Sequence, residues 1–303
     1  MARRRRLFIA LQITALVVFL AFLGYAFRDA WSEAGPLLRD ADIVDLAFAC
    51  LLLTVYYLLF VLGWIWILRE LGIRVTYRVA LQSEMVSMLA KYVPGGVWTP
   101  AARVVALRRH GITATPTVLS SILLEAGLSA VAGVLVLIVS LPTVEGADAP
   151  LSPLVAFGVI VAVLLHPRIF RPLARRMLKP FGASELPPIR YTTLLGLISY
   201  YAVTWVFGGV AILFMIRSLG GDVGWSAVPY LGGVGAVGAI VAVLSVIAPS
   251  GLGVREASMY GLMLAVTTSG VALGATVVNR VAITLVEAGL LLVGALAGAF
   301  KKA

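Results

Sequence analysis

Apolar runs about twenty residues long recur along this chain, and a run of that length has few ways to fold. Twenty residues of α-helix rise about 30 Å, the thickness of a bilayer's hydrocarbon core. In lipid the backbone must satisfy its own hydrogen bonds, which leaves helices and closed barrels. Of the 303 residues 61% are hydrophobic and 13% charged, with a mean hydropathy of +1.03, whereas ordinary soluble domains are about a quarter charged. The expectation is an all-α, polytopic integral membrane protein with about eight spans. They run approximately over 7–27, 43–68, 117–141, 154–165, 191–216, 225–247, 254–267 and 271–300. Residues 1–303 form a single membrane domain. Its first half is about 1–167, a basic linker follows at 168–190, and the second half is 191–303.

Two interruptions organise this pattern. The stretch from Lys91 through Pro94, Gly95 and Gly96 to Trp98, Thr99, Pro100 and Arg103 breaks the first half. Its flanks, 79–109, are too short to cross and basic at both ends, which predicts a re-entrant helical hairpin. Thr99 is read as an N-cap with Pro100 at the first helical position. The stretch Pro249-Ser250-Gly251-Leu252-Gly253-Val254-Arg255-Glu256 repeats the device within 248–256 of the second half. Unwound backbone at membrane depth is tolerated where protein buries it or water reaches it, so paired breaks mark a cavity.

Charge placement fits a membrane protein better than a nucleic-acid binder. The net charge is +10, and most of the basic residues fall in segments on one side: Arg3 to Arg6, Arg69, Arg74, Arg78, Arg103, Arg108, Arg109, Arg168 to Arg190, and Lys301 with Lys302. By the positive-inside rule that side is cytoplasmic, both termini included. The linker 168–190 is amphipathic and suits anionic headgroups. Trp64 and Trp66, beside Arg69, are read as an interfacial aromatic belt.

Seven ionisable residues remain at membrane depth: Glu84, Lys91, Glu125, Arg255, Glu256, Arg280 and Glu287. A charge at the centre of a span costs about 2.5–3.5 kcal/mol on insertion scales, so each is expected to face the bundle interior. Helical spacing agrees: Glu84 and Lys91 share a face, as do Ser121, Glu125 and Ser129, and Arg280, Thr284 and Glu287. Arg103 and Arg255 each enter a helix start, where free N–H groups and a guanidinium fork match phosphate. Lys91, Arg103 and Arg255, with Pro94, Gly95, Gly96, Pro249, Ser250, Gly251 and Gly253, are therefore the candidate binding set. Glu84, Glu125, Glu256, Arg280 and Glu287 balance charge or carry a coupling proton. The bland alternative is that Glu125, Arg280 and Glu287 pair with one another as structural ions. Gly232, Gly233, Gly235 and Gly238 read as a close-packing face. No HExxH, CxxC pair, GxSxG or Walker A sequence is present, so no enzyme, cofactor or metal is expected.

The two motifs together, Lys91 to Trp98 with Arg103 and Ala248 to Glu256, resemble the lysylphosphatidylglycerol synthase transmembrane-region family across nearly the whole chain. That family includes the membrane half of the multiple peptide resistance factor, whose corresponding region is similar to a lipid flippase. The resemblance implies transport of a lipid with an anionic or phosphate headgroup. No synthase domain accompanies these residues, so its chemistry does not carry over. A non-enzymatic scaffold or partner subunit for a glycolipid or polyprenyl-phosphate pathway is the alternative. The expected partners are membrane lipids, a second copy of the chain or a pathway enzyme.

Overall fold

The computed structural model describes residues 28–91, 98–144, 151–179, 189–245 and 251–299, and every regular element among them is helical. In chain order they are α1 (Arg28–Arg39), α2 (Ile43–Glu70), α3 (Tyr77–Ala90), α4 (Trp98–Arg108), α5 (Thr115–Ser140), α6 (Leu151–Leu165), α7 (Pro167–Leu178), α8 (Tyr191–Ser218), α9 (Val228–Leu244), α10 (Val254–Met263) and α11 (Ser269–Ala299). Among the described residues, five stretches are long and apolar enough to cross a membrane: Ile43–Glu70, Thr115–Thr143, Tyr191–Ser218, Trp225–Leu244 and Ser269–Val293.

The expected count of about eight spans is not confirmed among the described residues. The predicted first span, 7–27, lies outside the described residues. The predicted fourth is α6, an apolar helix of 15 residues, about 22 Å of rise. The predicted seventh is α10, with 10 residues, about 15 Å, too short to cross. Hydropathy measures composition and not continuity, so a helix that stops halfway looks like a short span.

The spans start and stop for local reasons. Asp42 caps α2, its carboxylate accepting from the Val44 and Asp45 N–H groups at 2.7 and 3.2 Å. The Asp42 N–H donates to the Ser218 carbonyl at 2.8 Å, which ties the start of α2 to the end of α8. Gly72 and Gly220, at φ +82° and +77°, turn the chain out of α2 and α8 in a conformation that disfavours other residues. Trp205 sits at the middle of α8 and belongs to one buried cluster with Leu124, Leu128, Val131, Ala132, Leu197, Tyr201 and Ala236. A second cluster joins Leu213, Ile216, Tyr230, Leu231, Val234, Met259, Met263 and Ala275. The spans α5, α8 and α9 thus share one continuous apolar interior. The glycines of α9 permit the contact. A Cβ on Gly232 would meet the backbone of Trp205 and Val206, one on Gly209 the backbone of Val228 and Gly232, and one on Gly233 the Leu137 side chain and backbone.

One end of the bundle is basic. It gathers the end of α2 with Arg69, Arg74 at the turn into α3, Arg108 and Arg109 where α4 ends, and α7 with exposed Arg175 and Arg176. The opposite end carries Glu33, Asp40, Asp42, Asp45 and Asp222.

Two helical hairpins enter this bundle from its two ends. α3 and α4 run antiparallel, Glu84 opposite Arg103, and both join the basic end, one through α2 and the other through α5. The end of α3 reaches the middle of α2, because Lys91 and Tyr57 meet on one carboxylate, Glu287. α9 and α10 form the second pair. The Tyr230 hydroxyl donates to the Leu262 carbonyl at 2.8 Å, while Gly238 faces Met259 and Arg255, and Gly251 faces Ala242. This pair opens toward the acidic end.

Helix α4 begins at Trp98, so Thr99 and Pro100 lie within its first turn and Thr99 is not the cap. Proline is accommodated there because first-turn N–H groups have no intrahelical acceptor.

A substitution that separates the helices at the glycine contact tests this packing. Gly232→Val is expected to lower stability by about 1–3 kcal/mol or to prevent folding, as overpacking does. Gly289→Ala, where nothing lies within 4 Å, leaves the thermal unfolding midpoint in detergent unchanged.

Candidate functional site

Three helices each deliver one charge to a single buried point. Arg103 of α4 donates through Nη1 to Glu125 Oε2 of α5 at 2.5 Å, and its Nη2 pairs with Glu84 Oε1 of α3. All three residues are buried. The guanidinium lies over the Trp64 ring, 4.5 Å from its centroid, and the Trp64 N–H donates to Ser121 Oγ at 3.0 Å. One turn beyond Glu125, Ser129 accepts the Trp205 N–H through its carbonyl at 2.9 Å and its hydroxyl at 3.2 Å. The whole Ser121-Glu125-Ser129 stripe therefore faces inward, as its spacing predicts. The two carboxylates compensate the planar cation and the aromatic face adds a cation–π contact. Glu84 Oε2, Glu125 Oε1, Arg103 Nε and the Tyr201 hydroxyl have no hydrogen-bond partner among the described residues.

The second group of charges lies at the middle of the bundle. Glu287 of α11 accepts from Lys91 Nζ at 2.5 Å and from the Tyr57 hydroxyl at 2.7 Å, both on Oε1. Glu256 accepts the Gly253 N–H on Oε2 at 2.7 Å and faces Arg280 Nη1 from Oε1 at 3.7 Å. Gly253 itself, at φ +81°, supplies the left-handed residue that starts α10. Arg255 is half-buried and its stem lies beside Gly238. It stands within electrostatic reach of Tyr56, Tyr57 and Lys91, yet it makes no ion pair among the described residues.

Charge balance separates the two groups. Glu84, Arg103 and Glu125 carry a formal excess of one negative charge. Lys91, Arg255 and Arg280 against Glu256 and Glu287 leave an excess of one positive charge. The two are close enough for Glu84 to feel Glu287, and together they are neutral. The positive excess is centred on the first turn of α10, where the helix dipole adds to it.

Several sequence readings are located by these contacts, and some are corrected. Arg103 does not belong to the exposed basic face but to the buried triad. Glu125, Arg280 and Glu287 do not pair with one another: each takes a partner from a different helix. Thr284 is exposed and its hydroxyl bonds back to the Arg280 carbonyl at 2.9 Å, so the polar edge of α11 is Arg280 and Glu287 with buried Asn279. Trp64 is fully buried and serves the triad instead of a membrane-interface belt. Pro94, Gly95, Gly96, Pro249 and Ser250 lie outside the described residues. Tyr57 was not among the sequence candidates, because one phenol in an apolar run reads as packing. Its position level with Lys91 and Glu287 is a tertiary fact.

A search among curated proteins finds no match to the chain. The family described as lysylphosphatidylglycerol synthase TM region matches residues 9–290, a stretch holding both hairpins, the triad and Glu287. The apolar spans and that match make this a multi-pass membrane protein with a lipid-related role, and the chain belongs to the lysylphosphatidylglycerol synthase transmembrane-region family.

Proposed function

We propose that this protein carries a phosphate-bearing lipid headgroup across the cytoplasmic membrane, with its basic end and both termini in the cytoplasm. The observation that supports the reading is the positive excess at Arg255. It is a cation without an ion-pair partner among the described residues, on the first turn of a helix, at the depth where two hairpins from opposite ends meet. A guanidinium fork and first-turn N–H groups are complementary to a phosphate's oxygens. A headgroup passing between leaflets needs such a stop at mid-depth, because its charge is least tolerable there.

In this reading Lys91 and Glu287 form the adjustable pair beside Arg255. An incoming phosphate offers Lys91 a second acceptor of the same charge sign as the Glu287 carboxylate, so the lysine keeps a counter-ion throughout. The protein binds and relocates its lipid without making or breaking covalent bonds. The two re-entrant hairpins open the path to one leaflet at a time, as broken-helix transporters do.

The triad of Glu84, Arg103 and Glu125 has a different task. A buried cation already held by two carboxylates has little capacity left for a ligand, and the triad fixes the hairpin against α5. Its residues therefore respond differently to substitution than Arg255 does.

Reconstitution with headgroup-labelled phospholipids and a leaflet-selective quencher tests the transport reading. Arg255→Ala is expected to slow lipid movement by about tenfold or more, the loss of one or two charge-assisted hydrogen bonds, with Arg255→Lys intermediate. Movement at the parent rate in folded Arg255→Ala overturns the assignment. A folded parent that moves no anionic lipid favours the scaffold role instead.

Arg103→Ala strands two buried carboxylates and is expected to cost about 3–5 kcal/mol. Combining it with Glu84→Gln and Glu125→Gln is expected to recover much of that loss, read as the thermal midpoint in detergent.

A further inference from the structure

A cavity of about 350 Å³ opens on the outside of the first hairpin, between α3, α4 and the later turns of α11. It is separate from the mid-bundle charges: Ser83 and Ala102 line it, and their chain neighbours Glu84 and Arg103 point the other way, into the triad. The volume lies within the range of ordinary ligand sites, about 300–1,000 Å³. Its wall is graded. Met85, Val86, Val105 and Leu290 make most of its length apolar, while Arg109 and His110 line it where α4 ends, on the basic end. No carboxylate is among its lining residues. Val86 and Val105 are 42% and 50% exposed, so the groove opens sideways along its apolar length instead of closing over a soluble molecule.

An apolar length, a lateral opening and a basic side chain at the level of the helix ends match one kind of occupant. An acyl chain fills the groove while its phosphate reaches the membrane surface, where basic side chains meet headgroups. We infer that this groove binds a phospholipid of the leaflet at the basic end, its phosphate held by Arg109 and His110 and one acyl chain lying between Val86, Val105 and Leu290. As the first docking place of a lipid on its way to Arg255, the inference rests on the transport reading. As a lipid site it is measured independently.

The test uses the full-length Arg255→Ala protein in detergent, so that the mid-bundle site does not contribute, and counts bound phosphatidylglycerol by native mass spectrometry. Arg109→Gln and, separately, Val105→Trp in this background are each expected to weaken the tightest phosphatidylglycerol association by about tenfold, with the thermal midpoint unchanged. Phosphatidylcholine is expected to bind more weakly than phosphatidylglycerol, and inorganic phosphate to displace neither. Unchanged lipid binding in both variants overturns the groove, and displacement by inorganic phosphate alone overturns the lipid assignment. Because transport by the parent protein is scored separately through Arg255→Ala, loss of the groove leaves the transport reading standing.

Discussion

A guanidinium in the interior of an apolar bundle has to bring its counter-charges with it, and Arg103 brings two. Desolvating a charge costs several kcal/mol, and the cost is recovered only when geometry and hydrogen bonds are good. Glu84 and Glu125 come from helices on either side of Arg103 in the chain, and Trp64 offers its ring from a third. Four helices are thereby held to a common point. The first hairpin, whose own length could not anchor it in a membrane, is fixed where the end of α3 reaches Glu287.

That arrangement divides the molecule into a part built for rigidity and a part built around charge. α5, α8 and α9 approach one another closely, with glycines where another residue would strike backbone. The hairpin α3–α4 and the short α10 lean on this frame from opposite ends and carry most of the interior ions. The charged contacts that join these helices to the rest of the bundle include Glu125 to Arg103, Glu287 to Lys91 and Arg280 to Glu256, beside apolar packing at Met85, Val104 and Met259.

Much of this could be read before the fold was known, for definite reasons. Long apolar runs gave α2, α5, α8, α9 and α11 to within a few residues, since the hydrocarbon thickness sets a length that composition reports directly. The inward face of Ser121, Glu125 and Ser129 followed from the helical repeat. What the chain order hides is partnership. Arg103 stands six residues before Arg109 and was grouped with it, although half of α4 separates a buried position from an exposed one. Trp64 looked interfacial because tryptophan near arginine usually is; only the arrival of Arg103 on its ring shows otherwise. The ten-residue α10 passed for a span because its flanks are apolar too.

The distribution of ions along the chain bears on how such a protein is made. In α3 the charges of Glu84 and Lys91 cancel, in α10 those of Arg255 and Glu256, and in α11 those of Arg280 and Glu287. Arg103 of α4 and Glu125 of α5 cancel as soon as the next helix has been synthesised. A helix, or two successive helices, entering a membrane in chain order would therefore bring no net interior charge. The finished bundle keeps the pair of Arg103 and Glu125 and otherwise exchanges in-helix neighbours for partners on other helices, Lys91 taking Glu287 and Glu256 taking Arg280.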